Sequence, residues 1–164
     1  MHRIVWMLFA VAIIVGAATI AATLDRLPEV VATHFGRDGL ANGWMSQGAY
    51  AITMLAIAIG APLAVAVGTT WLPRVSPSML KLDRCRRWAN PAARPGLIAA
   101  TSMLGGVIGA TLAVFLGAIH LLVVDANASS PARMDQPAFV GLMLSFAAVT
   151  IVACGIHAIR TRRA

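Results

Sequence analysis

Apolar and polar positions fall along this chain in long blocks rather than in short alternation. Four blocks, at 4–23, 49–71, 97–124 and 138–159, contain no Asp, Glu, Lys or Arg. A hydrocarbon core takes about 20 apolar residues at 1.5 Å rise each, so every block is long enough to cross it. Inside a bilayer the backbone groups must be paired within the segment, which selects helices for runs of this length. The pattern predicts an all-α integral membrane protein: a four-helix transmembrane bundle forming one membrane domain over 1–164. Polar connections fall at 24–48, 72–96 and 125–137. Pro62 removes a donor inside the second block and predicts a bend there. The first block is longer than the apolar core of a secretory signal, and no small-x-small cleavage site precedes Leu24, so it is expected to stay as a helix.

Composition agrees with the pattern. Hydrophobic residues make up 59% of the 164 positions and charged residues 12%, and the mean hydropathy is +0.81, far from a soluble domain. The distribution of charge adds an orientation. Arg3, Arg74, Lys81, Arg84, Arg86, Arg87, Arg94, Arg160, Arg162 and Arg163 fall on one side of the predicted membrane. Arg26, Arg37 and Arg133 fall on the other, with Asp25, Glu29, Asp38, Asp125 and Asp135. The positive-inside rule then places both termini in the cytoplasm and the 24–48 and 125–137 connections outside. The net charge of +7 flanks membrane helices, where anionic headgroups attract it, so no nucleic-acid partner is expected.

Two stripes of small residues recur every fourth position: Ala56, Gly60, Ala64 and Gly68 in the second helix, and Gly105, Gly109, Ala113 and Gly117 in the third. Such spacing lets backbones approach closely in lipid, and it predicts that the two stripes pack together. A homodimer contact is the rival reading. The absence of charged or paired polar groups along the helices suggests no ion or proton path. The basic 73–95 stretch, with Met79, Leu80, Leu82 and Trp88 interspersed, is expected to lie on anionic lipid, or else to hold a cytoplasmic partner.

Recognition chemistry concentrates in the outer 24–48 loop. Asp38-Gly39 and Asn42-Gly43 both tolerate positive φ, so the loop is expected to fold back twice after an extended piece from Pro28 to Phe35. Trp44 stands where indoles anchor at headgroup level. The candidate ligand or partner residues are His34, Phe35, Arg37, Gly39, Asn42, Gly43 and Trp44, joined by His120 near the outer end of the third block and by Asn127 in the second outer connection. The bland alternative is a structural cap. The third block would be about 42 Å long as a helix and so project His120 toward the outer side. His34, His120 and Asp125 are weak candidates for a divalent metal site, since imidazole and carboxylate suit Zn²⁺. No other cofactor is predicted. His120 bonded in a seam between loop and bundle is the plainer expectation.

An enzyme is the less expected class. The four histidines, His2, His34, His120 and His157, fall on both sides of the membrane, and no Ser or Cys stands near a His and carboxylate pair. Cys85 lies among arginines that would lower its pKa, yet a single cysteine in a basic loop is usually a bystander. A hydrolase built on an outer His34/His120 metal is the one enzyme reading left, beside a purely structural or regulatory subunit.

Leu27-Pro28, Thr33-His34-Phe35, Gly39, Asn42-Gly43-Trp44 and Ser46 together resemble the outer loop of the bacterial SdpI-like membrane proteins, whose domain of unknown function carries the pattern L-P-x-x-V/I-P-x-H-F-x-x-x-G-x-x-D/N-G-W-x-S. Ala32 stands where that pattern has its second Pro. A fainter likeness to the family's Y-W-L-A-P-E-R-R run keeps only Trp88, Pro91 and Arg94. The resemblance implies a multi-pass protein of the bacterial cytoplasmic membrane with an immunity or signalling role, recognising a secreted peptide or a protein partner through this loop.

Overall fold

A computed structural model describes residues 2–75 and 90–163. Four long helices dominate it: α1 (His2–Thr23), α2 (Gln47–Val75), α3 (Arg94–Asn127) and α4 (Gln136–Arg163). All four are long and apolar enough to cross a membrane, so the chain is a multi-pass membrane helix bundle. Each helix extends a little beyond its apolar block, because the flanking polar residues continue the hydrogen-bonded spiral. Between α1 and α2 the chain makes a short 3-10 turn at Leu24–Arg26 and then a two-stranded antiparallel hairpin, β1 (Val30–Phe35) and β2 (Ala41–Ser46).

The third helix is the centre of the bundle. It packs most extensively against α2, then α1, then α4, while α4 makes no comparable contact with α1 or α2. Its small residues explain the closeness. A Cβ on Gly109 would lie 2.7 Å from the Phe9 ring and 3.2 Å from the Pro62 carbonyl oxygen, so this glycine is wedged between α1 and α2. Gly105 lies against the Thr69 side chain and Gly117 against the Cα of Gly16. The predicted α3 stripe is therefore a packing face, as small residues permit in lipid.

The α2 stripe is a correction to the sequence reading. Ala56, Gly60 and Ala64 are exposed, and a Cβ on Gly60 would meet nothing within 4 Å. The buried face of α2 is instead Tyr50, Met54, Ala58, Pro62, Ala66 and Pro73. That face carries the same four-residue period about half a turn away, and small-residue spacing alone does not tell the two apart. The helix runs unbroken through Pro62, which is buried and whose carbonyl oxygen faces Gly109 of α3. The expectations for Cys85, Trp88 and most of the basic connection fall on 76–89, outside the described residues.

Near the hairpin end the helices hold an apolar cluster of Ile20, Leu27, Val31, Tyr50, Met54, Ala58, Val123, Ala126 and Met134. Every helix but α4 contributes to it, and so does β1, which seats the hairpin on the bundle. Phe35 and Phe139 pack against it from the sides.

Candidate functional site at the hairpin cap

The hairpin turns once, not twice. Gly36 N–H donates to the Leu40 carbonyl at 2.8 Å and Gly39 N–H to the Gly36 carbonyl at 3.0 Å. The Asp38 carboxylate accepts the Leu40 N–H at 3.1 Å, the local bond that favours Asp in turns. Gly39 has φ +81°, and a Cβ there would come within 2.9 Å of the Met134 carbonyl oxygen. Glycine is thus required twice over at this position.

Asn42-Gly43, the second expected turn, lies within β2. Partners run Ala32↔Trp44, His34↔Gly43 and Phe35↔Ala41, so Thr33 and Asn42 are each an extra residue on one strand. Paired bulges of this kind re-aim side chains. Gly43 is needed for approach rather than for φ, since its Cβ would sit 2.9 Å from the Cβ of His34. The bulges set Asn42 beside His34, and the Asn42 Oδ1 accepts from the imidazole Nδ1 at 2.9 Å.

A frame of polar bonds fixes the hairpin to the helix ends. Gln47 Nε2 donates to the carbonyls of Leu24 and Leu27, both at 2.8 Å, and Gln47 N–H donates to the Glu29 carbonyl. Ser46 Oγ caps the start of α2 at Ala49 N–H, and Asp135 caps α4 at Ala138 N–H, each satisfying a donor the helix leaves orphaned. Asn127 Oδ1 accepts the Ala32 N–H and its Nδ2 donates to the Ala32 carbonyl. The α3–α4 connection, which includes a cis Ser130-Pro131 bond, adds a third rung. Met134 N–H donates to Gly39 and Ala41 N–H to Ala132, pairing Leu40 with Arg133. The two connections at this end are thus one structure.

Beneath the cap His120 is fully buried. Thr23 Oγ1 donates to the Thr19 carbonyl at 2.7 Å, so it accepts from His120 Nε2 at 2.7 Å. Nδ1 is then an acceptor, and Tyr50 donates its hydroxyl proton to it at 2.9 Å. The phenol and imidazole rings stack with centroids 5.7 Å apart. One neutral imidazole joins α1, α2 and α3 with every polar atom satisfied, which removes the penalty of burying it.

These placements divide the sequence candidates. His34, Arg37, Asn42 and Trp44 are exposed, Trp44 by 57%, and the first and third of them are hydrogen-bonded to each other. Phe35, Gly39 and Gly43 shape the hairpin beneath them. Asn127 and His120 are engaged in internal bonds. Of the metal candidates, His120 has both ring nitrogens bonded, His34 has one bonded to Asn42, and Asp125 is exposed. No group of three or more His, Cys, Asp or Glu among the described residues is placed to hold a metal ion. Sequence reasoning missed Tyr50, Thr23 and Gln47, and also missed that paired polar groups do lie between the helices. The side-chain bonds that carry them across the fold span 20 to 97 residues, and no local spacing signals such contacts.

Residues 9–60 match a family described as a domain of unknown function (DUF1648). The match runs from within α1, through the whole hairpin, to the middle of α2. No curated protein and no solved structure matches the chain.

Proposed function

We propose that the hairpin cap is a recognition surface for a secreted peptide or a protein partner, in a protein with an SdpI-like immunity or signalling role in the bacterial cytoplasmic membrane. One observation carries this reading: the exposed His34, Arg37, Asn42 and Trp44 stand on a hairpin whose backbone is fixed at both strands and at the turn. A rigid platform spends little ordering entropy on binding, and Trp and Arg are the residues that most often anchor a partner. The charge asymmetry supports an outward cap with cytoplasmic termini.

The test joins orientation to activity. Ala128→Cys, in a chain with Cys85 and Cys154 replaced by Ser, is to be labelled in intact cells with a membrane-impermeant maleimide; labelling from outside is expected. Sensitive cells expressing the chain are then challenged with fractionated culture medium of bacteria that secrete toxic peptides. Protection by the wild type, lost in Arg37→Ala/Trp44→Ala at equal membrane abundance, is expected. Equal survival of both, or a cap that labels only after lysis, overturns the proposal.

A further inference from the structure

At the end of the bundle that carries the termini, α1, α3 and α4 leave a groove of about 770 Å³. It opens where α4 packs chiefly on α3 and at most weakly on α1 and α2. Its walls are apolar, from Gly96 and Ala100 through Met103 to Val107 on α3 and from Ile156 to Ala148 on α4. The two walls run antiparallel, so Gly96 and Arg160 mark the terminal end and Val107 and Ala148 the deep end. At 1.5 Å per residue the stretch from Gly96 to Val107 is about 16 Å long, close to half of a hydrocarbon core of about 30 Å. The groove therefore has the depth of one leaflet.

Its polar groups are confined to one end. Among the described residues, His157 and Arg160 are the only titratable ones lining it, and both lie at the mouth. An adjoining cavity of about 380 Å³ shares Ala99 and adds His2, Arg74 and Arg94 at the same level. An apolar channel one leaflet deep with a cationic mouth matches an acyl chain below an anionic headgroup. We propose that this groove binds one acyl chain of an anionic phospholipid, whose phosphate is held by Arg160 and His157 at the mouth. Guanidinium offers phosphate two parallel donors in one plane. The site is independent of the cap and of what the cap recognises.

Gly96 supplies a clean test, because a Cβ there would meet none of the described residues within 4 Å and leucine favours a helix over glycine. Gly96→Leu should fill the mouth without disturbing the fold. The full chain in mild detergent is titrated with phosphatidylglycerol and with phosphatidylcholine of identical acyl chains, and bound lipid is counted by native mass spectrometry. Wild type is expected to prefer phosphatidylglycerol by about tenfold or more, the scale of a charge-assisted bond. Arg160→Gln should bring the two lipids level, Gly96→Leu should lose both, and the lipid-facing Gly60→Leu should behave as wild type. No preference in wild type, or wild-type binding by both groove variants, overturns the proposal. A phosphatidylglycerol with a photoactivatable acyl chain gives a second readout on wild type alone. Labelling concentrated on 96–107 and 148–160 supports the site, and labelling spread evenly over the four helices overturns it.

Discussion

Asn127 holds Ala32 by both of its backbone polar groups, accepting the N–H at 2.8 Å and donating to the carbonyl at 3.0 Å. The amide side chain thus does for β1 what a third strand would do, and it also donates to the Val123 carbonyl at 2.8 Å near the end of α3. Removing it leaves a part-buried edge without partners. Asn127→Ala is expected to cost about 1–3 kcal/mol, read as a lower thermal midpoint and faster amide exchange at Ala32. Asn127→Asp should do no better, because it sets a carboxylate oxygen against the Ala32 carbonyl.

The His120 bonds predict strong coupling. Tyr50→Phe leaves Nδ1 without its donor at the cost of a lost buried bond, about 1–3 kcal/mol. His120→Phe alone strands the Tyr50 hydroxyl and the Thr23 oxygen. The double variant removes both ends of the Tyr50 bond and should be less damaging than the sum of the two. A double-mutant cycle in detergent measures this, with a coupling of about 0.5–3 kcal/mol expected; additive effects would show that the bond contributes nothing.

Glycines on the two faces of the bundle should respond oppositely. Gly109→Leu must displace Phe9 or the Pro62 carbonyl and is expected to cost at least the ~1–3 kcal/mol of an overpacked core. Gly60→Leu projects into lipid and should leave the thermal midpoint within about 0.5 kcal/mol of wild type, as surface changes generally do.

In the hairpin, Gly39→Ala should be destabilising for two reasons that add. The left-handed backbone costs an L-residue about 1–2 kcal/mol, and the new Cβ presses on the Met134 carbonyl. Weaker exchange protection at Met134 N–H, beside an intact apolar cluster, is the expected signature.

The four membrane helices were legible because their signal is dense: long charge-free runs leave the backbone no other solution. The Asp38-Gly39 turn was legible for a local reason, since its φ and its Asp bond lie within three residues. The misreadings have the opposite cause. Asn42-Gly43 is as good a turn pair as Asp38-Gly39, yet strand pairing claims it, because only glycine at 43 lets the chain pass the His34 Cβ. The α2 stripe failed because Ala58, Pro62 and Ala66 repeat at the same period as Ala56, Gly60 and Ala64, and only the shape of α3 chooses between them. His120 could be placed at the right end of the right helix, but its partners Thr23 and Tyr50 meet it only through the tertiary fold.

Residues 132–134 lie between the hairpin and α4, paired with Gly39 to Ala41 on one side and leading directly into the fourth helix on the other. The first three helices are braced against one another by the His120 bonds and the α3 glycines, whereas α4 leans chiefly on a single neighbour and is tied at its head to the hairpin. Mechanically this is a lever on a fixed block. A force on the turn around Gly39 would bear first on the head of α4, whose 28 residues run from the hairpin end of the bundle to the end that carries the termini.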